Sequence, residues 1–351
     1  MKKKIAINGF GRIGRLTLRN LLDSKDVEVV AINDLTDNAT LAHLFKYDSA
    51  QGTYPKSVSA DDKYITIGKK KIICSTERDP SKLPWKKMKI DVVLECTGVF
   101  RTYEKAGLHL DAGAKRVVLS APAQSDSIQT IVLGVNDEEL DSSNRIFSNA
   151  SCTTNCLSPL VKVIDQNWGL VQASMTTTHA YTADQRIQDA PHKDLRRARA
   201  AAFNIVPTST GAGVATAKVY PPAKDKIMAM AVRVPVITGS LVELNAIVEK
   251  TVTLEQVNKK FASMSRGKLK NILEFQVDPI VSSDIVGNKH SSILDSQLTQ
   301  VIGNMVKVVS WYDNEAGYSA RLADLARKVA KLSLTKKKAK KVSKKKKAAM
   351  A

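Results

Sequence analysis

The first 150 residues alternate between short apolar runs and segments with helical periodicity. The run KIAI is followed by NGFGRIGR, then by apolar positions at helical spacing, and then by VEVVAIND. Three further apolar runs follow, namely IDVVLEC, KRVVLSAP and QTIVLGVN. Parallel strands that are buried on both faces read as continuous apolar runs, and they alternate with helices in β-α-β units. The pattern predicts an α/β fold with a parallel sheet that is covered by helices on both faces.

The pattern changes after Asn149. The runs MAMAVRVPVI, LVELNAIVEK and MVKVVSWYD are longer and more amphipathic, with helical segments between them. Such strands are typical of an α+β domain with a mixed or antiparallel sheet and helices on one face. We therefore place a domain boundary near residue 150, with a second domain over residues 151–316. The last periodic segment, SARLADLARKVAKL, predicts an amphipathic helix.

Length and composition narrow the class of protein. With 351 residues, of which 43% are hydrophobic, the chain is long enough to bury the cores of two domains. No stretch approaches the roughly 18 uninterrupted apolar residues of a membrane helix, and the basic start MKKK is not followed by a signal-peptide pattern. The four cysteines form no C-x-x-C pair and are too few for a disulfide framework. We expect a globular cytoplasmic protein with no membrane segment.

The net charge of +20 is unevenly distributed along the chain. The 16 residues from Lys336 to the end hold nine lysines and no acidic residue. A segment of this composition buries too little apolar surface to offset its ordering entropy, so residues 335–351 are predicted to be disordered. Two interpretations stay open for residues 336–347: a solvated run of charge, or a contact with nucleic acid or another polyanion.

A glycine pattern follows the first predicted strand. Gly9, Gly11 and Gly14 form G-x-G-x-x-G, in which the glycines permit a tight turn, close approach of a pyrophosphate, and close packing of helix on strand. Asp34 ends the second strand, where a carboxylate accepts hydrogen bonds from the adenosine ribose hydroxyls and repels a 2′-phosphate. The context favours an NAD site over an NADP site. The alternative is a glycine-rich turn that binds no nucleotide.

The stretch SNASCTTNC places two cysteines among hydroxyl and amide side chains. A helix is predicted to begin near Ser151, with Ser151 or Thr153 as its cap, so Cys152 lies at the helix N-terminus. We expect the helix dipole and a nearby histidine to lower the pKa of this thiol and make it a nucleophile. Cys156 lies one turn later and is interpreted as a small buried side chain. C-x-x-x-C without a second Cys/His pair predicts no metal site.

A base for this thiol has to be found among five histidines. His179 ends a predicted strand in TTTHAYTADQR, amid hydroxyl groups, whereas the other four lie in helical or loop contexts. From the residues alone, a catalytic and a structural role for His179 both stay open.

Six segments together resemble one known family. NGFGRIGR, SNASCTTNC, THAYTADQR, HKDLRRARAAA, VPTSTGAG and VKVVSWYDNEAGYS, in this order and spacing, are similar to the phosphorylating glyceraldehyde-3-phosphate dehydrogenases. The resemblance covers residues 3 to about 333. It implies a Rossmann domain over residues 1–150 that is completed by a returning C-terminal helix over residues 317–334, a catalytic domain between them, and a homotetramer.

The resemblance also implies a reaction. In that family the cysteine at the position of Cys152 attacks the aldehyde of glyceraldehyde 3-phosphate, a hydride passes to NAD, and inorganic phosphate releases an acyl phosphate from the thioester. His179 matches the general base. The expected function is therefore glycolytic oxidation and phosphorylation of the triose phosphate, with NAD as cofactor.

Further site residues are implied by the same resemblance. Those expected at the cofactor, besides the three glycines, are Arg12 and Ile13 at the pyrophosphate, Asp34 at the ribose, Arg78 and Ser120 along the molecule, and Asn314 and Tyr318 at the nicotinamide. Those expected at the triose phosphate are Thr182, Arg197 and Arg233. Those expected around the attacking phosphate are Ser151, Thr153, Thr210 and Gly211. Without the resemblance, the DLRRAR cluster would be interpreted as a solvated face.

One departure from the NAD-specific pattern of the family and two rival functions stay open. Ala190 resembles the NADP-accepting photosynthetic type, whereas Pro191 and NDLTD resemble the NAD type, so NADP use is not excluded. One rival is an aldose-phosphate dehydrogenase of the erythrose-4-phosphate type, which releases a free acid. The other is polyanion binding through the lysine-rich end of the chain, which is compatible with enzymatic activity.

Overall fold

Two sheets and eight helices make up the part of the chain that the computed structural model describes, residues 1–333. The helices are α1 (Arg12–Leu21), α2 (Asn38–Lys46), α3 (Trp85–Met88), α4 (Tyr103–Asp111), α5 (Cys152–Trp168), α6 (Ala212–Val219), α7 (Leu254–Arg266) and α8 (Ala316–Lys331). Strands of the first sheet are β1 (Lys3–Asn8), β2 (Val27–Asn33), β3 (Val58–Ala60), β4 (Tyr64–Ile67), β5 (Lys70–Ser75), β6 (Val92–Glu95), β7 (Arg116–Leu119), β8 (Gln129–Thr130) and β9 (Ile146–Ser148). Strands of the second are β10 (Leu170–Ala180), β11 (Val206–Ser209), β12 (Ile227–Val234), β13 (Ser240–Val248), β14 (Leu273–Gln276), β15 (Ser292–Ile302) and β16 (Met305–Tyr312).

The first sheet has the strand order β3-β4-β5-β2-β1-β6-β7-β9-β8. β1 pairs in parallel with both β2 and β6, and the parallel pairing continues through β7 and β9, whereas β3, β4 and β5 form an antiparallel edge. Its central strands are buried on both faces, as continuous apolar runs predict. The predicted α/β fold with a Rossmann sheet is confirmed.

The run QTIVLGVN forms a shorter strand than the sequence pattern predicts. Only Gln129–Thr130 is a strand, and the buried apolar residues that follow lie in a turn. The Asn136 side chain closes this turn, because its oxygen accepts from the Val132 N–H at 2.9 Å and its nitrogen donates to the Thr130 carbonyl at 3.0 Å. Gly134 has φ +83°, a conformation that suits glycine. The spacing of apolar residues in the sequence does not indicate that a side chain closes a turn here.

The second sheet is mixed and has the order β11-β12-β10-β13-β16-β15-β14. β10 runs parallel to β12 and antiparallel to β13, and β13, β16 and β15 form a run of antiparallel pairs. Helices α5, α6 and α7 pack against this sheet. α7 begins with a reciprocal capping box, in which the Thr253 hydroxyl and the Gln256 side chain each bond the other's backbone N–H. The predicted mixed sheet with helices packed on it is confirmed.

Helix α8 returns to the first sheet, where it packs against α1, β6 and β7. It ends at Lys331, not at residue 334 as the resemblance implies. The buried Arg116 side chain explains the earlier end, because its guanidinium donates to the carbonyls of Leu332 and Ser333, both at 2.9 Å, and holds the chain in a non-helical path. The predicted disordered segment, residues 335–351, lies outside the described residues. No helix within residues 1–333 is long and apolar enough to cross a bilayer.

Arg327 and Lys331 of α8 form ion pairs with Asp26 of the first domain. These pairs predict a contribution to stability that is lost in acid. Hydrogen bonds from Arg327 and Lys331 lower the pKa of Asp26 from 3.8 to about 2. Because the folded pKa lies below the unfolded one, this contribution is present above pH about 4 and lost as the pH falls toward 2. We expect Asp26→Asn to lower the free energy of unfolding at neutral pH by less than about 1 kcal/mol per pair, since both partners are well exposed.

Urea unfolding at several pH values measures this contribution. The matched control is Asp23→Asn, which removes a carboxylate that is 77% exposed. A loss for Asp26→Asn that is as large at pH 2 as at pH 7 would contradict the assignment to this carboxylate.

Candidate active site

The N-terminus of α5 is held in a defined conformation. Ser151 caps the helix, since its hydroxyl accepts from the Thr154 N–H at 3.1 Å. Ala150 precedes the cap with φ +55°, a region that residues other than glycine seldom adopt. The Tyr318 hydroxyl of α8 donates to the Ala150 carbonyl at 3.0 Å. A residue from the end of the chain therefore supports the strained backbone immediately before Cys152.

The His179 side chain lies next to the Cys152 thiol. It lies at the end of β10, and its Nε2 is 3.4 Å from the Cys152 Sγ. Its Nδ1 is 2.6 Å from the Ala180 carbonyl oxygen, which can only accept, and 3.1 Å from Arg233 Nη1, which can only donate; we assign the proton to Nδ1 because the carbonyl is the nearer partner. Nε2 is then the basic nitrogen and faces the thiol. The pairing that the sequence left open is thus present in the structure.

Burial controls the protonation of this pair. It lowers the pKa of His179 to about 3, with the nearby Arg233 charge acting in the same direction. Burial also raises the pKa of Cys152, against the opposing effects of Arg233 and of hydrogen bonds from Thr153. The expectation that the helix end would lower the thiol pKa is therefore wrong for this structure, because desolvation outweighs it. At neutral pH the pair is a thiol beside a neutral imidazole, which can take the thiol proton as attack occurs.

Cations converge behind the imidazole. Arg233 lies opposite His179 in the parallel register of β10 and β12, and its Nη1 donates to the Ala180 carbonyl at 3.1 Å and to the Thr182 hydroxyl at 3.4 Å. Its Nε is buried with no hydrogen-bond partner in the structure. The charge of Arg197 also lowers the pKa of His179. This group of donors suits an anionic substrate.

Two of the predicted phosphate ligands have partners of their own. Arg197 pairs with Asp184 and with Asp194, the latter at 3.2 Å, so its charge is partly neutralised. Thr210 and Gly211 lie at the start of α6, where the Thr210 hydroxyl accepts from the Ala212 N–H at 3.2 Å. Open space surrounds the position of a Cβ on Gly211.

The glycine turn forms an open cradle above the first sheet. Gly9 has φ +88°, and a Cβ there would lie 2.7 Å from the Thr97 nitrogen. A Cβ on Gly14 would lie 2.3 Å from the Gly9 carbonyl oxygen, so that glycine permits close packing of α1. By contrast, nothing lies within 4 Å of a Cβ on Gly11. The middle glycine faces free space at the N-terminus of α1, as close approach of a pyrophosphate requires.

A cavity of about 390 Å³ opens beside this cradle. Gly9, Gly11, Asp34 and Arg78 all contribute to its wall. The Asp34 carboxylate accepts from the Phe10 N–H at 2.7 Å, so it is held beside the glycine turn. These residues fit an adenosine ribose and pyrophosphate.

Comparisons with known proteins match almost the whole chain. The models of the NAD binding domain and of the C-terminal domain of glyceraldehyde 3-phosphate dehydrogenase match residues 3–103 and 151–314, respectively. The glyceraldehyde-3-phosphate dehydrogenase of Mycobacterium avium is 55% identical over 338 residues, which cover 94% of this chain and 99% of that protein. This chain belongs to the glyceraldehyde-3-phosphate dehydrogenase family. The enzyme of that name from Geobacillus stearothermophilus is 52% identical over 336 residues, 95% of this chain and 100% of that protein.

The predicted family, the fold and NAD as the cofactor are confirmed by these matches. The prediction of an NAD-dependent dehydrogenase of the glycolytic type is confirmed with them, and no match favours the erythrose-4-phosphate type. In the described residues 1–333, no group of three or more His, Cys, Asp or Glu side chains could hold a metal ion.

In this dehydrogenase the Arg12 side chain has protein partners of its own. Its guanidinium pairs with Asp48 at 2.8 Å and forms two hydrogen bonds with Glu315. Only the backbone N–H groups of Arg12 and Ile13, in the first turn of α1, remain to face a pyrophosphate. The side chain instead joins the glycine turn to the segment that carries Asn314.

Asn314 is oriented by its surroundings. It is buried, and its side-chain oxygen accepts from the Gly239 N–H at 3.1 Å and from the Ser240 hydroxyl at 3.0 Å. Because the oxygen is held, the planar carboxamide has one preferred orientation. Ser120 follows β7 at the carboxyl edge of the first sheet, and its N–H donates to the Glu95 carbonyl at 2.9 Å.

Tyr312 is a site residue that the sequence analysis missed. Its hydroxyl lies 2.9 Å from the Thr153 hydroxyl and 2.8 Å from that of Thr177, and its ring packs edge-on against His179. The residue is 1% exposed at the end of β16. A buried aromatic side chain at the end of a strand is indistinguishable from core by sequence pattern, although Tyr312 lies within the quoted motif WYDNEAGYS.

Proposed function

We propose that this chain oxidises glyceraldehyde 3-phosphate with NAD and inorganic phosphate, and releases the acyl phosphate 1,3-bisphosphoglycerate. The observation that supports this most directly is the 3.4 Å approach of the Cys152 thiol to the basic nitrogen of His179 at a helix N-terminus. Family membership supports the same reaction.

The chain's own groups can carry each step. As Cys152 attacks the aldehyde carbon, His179 takes the thiol proton, and the resulting oxyanion lies near the Cys152 N–H and the imidazolium. A bound NAD would supply the acceptor for the hydride of the hemithioacetal carbon. Before the hydride leaves, His179 returns the thiol proton to the oxyanion, which gives the hemithioacetal hydroxyl; it takes the same proton back as the hydride departs, so that a thioester remains on Cys152. Phosphate then attacks the thioester and regenerates the thiol.

We propose that the two phosphate groups are bound by separate sets of residues. Arg233, Thr182 and Arg197 would hold the phosphate of the triose, since they lie around His179 and present guanidinium and hydroxyl donors. The attacking phosphate would be held by Ser151, Thr153, Thr210 and Gly211. The Thr153 hydroxyl already contacts Tyr312, so it would orient this anion through a shared hydrogen bond.

We propose that Gly9, Gly11, Gly14 and the first turn of α1 hold the NAD pyrophosphate. Asp34 and Arg78 line the cavity where the adenosine half fits. The carboxamide of Asn314 would bond the nicotinamide amide, and Tyr318 would pack near the ring while supporting Ala150. Ser120 would contact the cofactor at the strand end.

Cofactor preference is expected to depend on the charge of Asp34. Asp34→Gly should raise the kcat/KM with NADP relative to NAD, because repulsion of the 2′-phosphate is removed. Asp34→Asn is the sharper variant, since the amide keeps an oxygen for the Phe10 N–H and changes only the charge. Initial rates with both cofactors provide the measurement. A cofactor ratio that neither variant changes would show that Ala190, Pro191 or another residue sets the preference.

The oligomeric state is proposed to be a homotetramer of cytoplasmic subunits. The loop between β10 and β11 exposes Ile187, Leu195 and Phe203 at 80% or more of their surface, and β12 exposes Met228 at 73%. Exposed apolar groups of this size are typical of surfaces that contact another subunit. Light scattering should give about four times the 38.3 kDa chain mass. All four cysteines are free thiols, as a reducing compartment favours.

We also propose the domain division at residue 150, with residues 1–150 and α8 forming the NAD-binding domain. All strands of the first sheet precede residue 149, and all strands of the second sheet follow residue 169.

NADH formation with and without inorganic phosphate tests the reaction. Steady turnover should depend strongly on phosphate, because the thioester on Cys152 needs an attacking anion to release the product. Phosphate-independent turnover with erythrose 4-phosphate would instead identify the free-acid type. Repeating the assay with NADP measures the cofactor preference of the unmodified chain.

A further inference from the structure

A row of buried polar side chains lies at the carboxyl edge of the first sheet. Asn33, Asn8 and Glu95 end the neighbouring parallel strands β2, β1 and β6, and they stand opposite one another in register. Each of the three is at most 4% exposed. The strand order reverses between β1 and β6, which is where open α/β sheets bind their ligands. The row therefore underlies the dinucleotide cavity, and two of its members, Asn8 and Asn33, line that cavity.

The hydrogen bonds in the interior all lead to Glu95. The Trp85 indole N–H can only donate, and it lies 3.0 Å from His109 Nδ1, so that nitrogen is the acceptor. His109 Nε2 then carries the proton and donates to Glu95 Oε2 at 3.0 Å. The Asn8 amide nitrogen donates to the same oxygen at 2.6 Å. It also lies 3.4 Å from His109 Nε2, but both of these groups are donors to Glu95 and form no bond with each other.

The second oxygen of Glu95 holds one wall of the cavity. Oε1 accepts from the Thr97 N–H at 2.8 Å and from the Thr97 hydroxyl. The same hydroxyl accepts from the Val99 N–H at 3.1 Å, and both Thr97 and Val99 line the cavity. A carboxylate suits four donors because both of its oxygens accept. Within residues 1–333 Glu95 pairs with no lysine or arginine, so its burial is costly and indicates a role beyond filling the core.

The opposite wall is held through Asn8. Its side-chain oxygen accepts from the Asn33 amide nitrogen at 2.7 Å. Asn33 in turn exchanges two hydrogen bonds with the backbone of Glu77, at 2.8 and 2.9 Å. Glu77 and the next residue, Arg78, line the cavity on this side. One carboxylate thus connects to both walls by unbroken hydrogen bonds.

We propose that Glu95 is a positioning residue for NAD. Through Asn8 and Thr97 it fixes the two walls of the dinucleotide cavity, while His109 and Trp85 complete its hydrogen bonds in the interior. The inference rests on the proposed placement of NAD at the glycine turn. It adds the group that holds this site in shape before the cofactor binds.

The test measures the Kd of NAD for the full chain by isothermal titration calorimetry, together with steady-state kinetics. Glu95→Gln keeps the shape of the side chain but turns an NH₂ group toward donors, either at Thr97 or at Asn8 and His109. We expect the Kd and the KM for NAD to rise by about tenfold or more, since hydrogen bonds to a charged group are among the stronger ones. The kcat at saturating NAD should fall by less than about threefold, because the substitution affects cofactor binding rather than the reacting groups.

A second substitution should restore binding. Asn8→Asp alone brings two carboxylates together and should also weaken the binding of NAD. In Asn8→Asp/Glu95→Gln the new amide donates to the new carboxylate, which also lies within reach of His109 Nε2 and the Asn33 amide. Thr97 keeps an acceptor in the amide oxygen. The double variant should therefore bind NAD more tightly than either single variant.

Val93→Ala is the matched control for a general loss of stability. Val93 lies on β6 two residues before Glu95, is fully buried and does not line the cavity. The variant should lower the urea midpoint and leave the Kd of NAD within about twofold, since it alters no group that connects to the cavity. A Glu95→Gln chain that loses only stability, as this control does, would overturn the proposal. So would a double variant that binds NAD no better than the weaker single variant.

Gly11→Val tests the NAD site separately. A Cβ on Gly11 meets nothing within 4 Å, so the larger side chain fills the space proposed for the pyrophosphate and should prevent NAD binding. If it does so while Glu95→Gln binds normally, only the role of Glu95 is rejected. Normal binding by Gly11→Val would reject the placement of NAD, and the inference with it. If Glu95→Gln does not fold, Thr97→Val decides in its place: it removes one bond to the carboxylate at an exposed position, and an unchanged Kd would overturn the proposal.

Discussion

Cys152→Ala is expected to abolish turnover, whereas Cys156→Ala should retain most of it. Both cysteines lie on α5, one turn apart, but only the Cys152 thiol contacts His179 Nε2. Cys156 is fully buried, with its sulfur 3.6 Å from the Ser292 hydroxyl, and burial raises its pKa to about 12. A thiol that is closed off from solvent in this way cannot contact a substrate carbonyl unless the core opens.

The two variants also differ in stability, which makes the pair a matched test. Cys156→Ala leaves a small gap in the core and should cost on the order of 1 kcal/mol, since it removes one buried sulfur atom. Cys152→Ala should unfold at nearly the same denaturant concentration as the unmodified chain. Initial rates of NADH formation and urea midpoints measure both effects. Comparable losses of turnover from the two substitutions would refute the assignment of Cys152 as the nucleophile.

His179→Asn is expected to lower kcat by about 10²- to 10⁴-fold, the usual contribution of a positioned acid–base group. The asparagine side chain is too short to reach the thiol. In the unmodified chain, the rate of acylation should be nearly independent of pH from 6 to 8, because the pKa of His179 is about 3 and the imidazole stays neutral.

The variant should show a different pH dependence. Without the imidazole, the thiol has to ionise to solvent, and burial raises its pKa above the ordinary value. The acylation rate should then rise about tenfold per pH unit between pH 7 and 8, because the thiolate fraction limits the rate. Pre-steady-state bursts of NADH give this profile. The same steep slope in the unmodified chain would contradict a neutral thiol–imidazole pair.

Tyr312→Phe is the control for this prediction. It keeps the ring edge that packs on the imidazole and removes only the hydroxyl that contacts Thr153 and Thr177. We expect a loss in kcat of less than about 30-fold, since the two neutral hydrogen bonds contribute about 1 kcal/mol each. A loss as large as that of His179→Asn would mean that the hydroxyl takes part in the proton transfer.

Much of the structure of the first domain could be predicted from local sequence patterns. The glycines at positions 9, 11 and 14 lie where strand, turn and helix succeed one another within a few residues, so their roles depend on backbone geometry that is nearly independent of distant contacts. The same holds for Ser151, whose capping of α5 follows from its side chain and the next three residues. Apolar runs also identified most strands, because burial on both faces of a parallel sheet leaves a continuous apolar signal.

Contacts between residues far apart in the sequence determine the features that local sequence patterns did not predict. The partners of Arg12 include Glu315, 303 residues later, so no local signal could indicate where the guanidinium points. Tyr318 supports Ala150, which lies 168 residues earlier in the chain. Arg116 bonds the segment at the end of α8 although it precedes Leu332 by 216 residues. In QTIVLGVN, a single asparagine side chain closes a turn that apolar periodicity cannot distinguish from a strand.

The protonation of the site depends on the folded structure for a related reason. A helix N-terminus is visible in the sequence, and by itself it favours a thiolate. Desolvation is not visible there, because it depends on every element that packs around Cys152 and His179. The sequence therefore sufficed to propose the nucleophile and to identify the family. The packing of β10, β12 and α5 places the base at 3.4 Å and determines which of the two groups holds the proton.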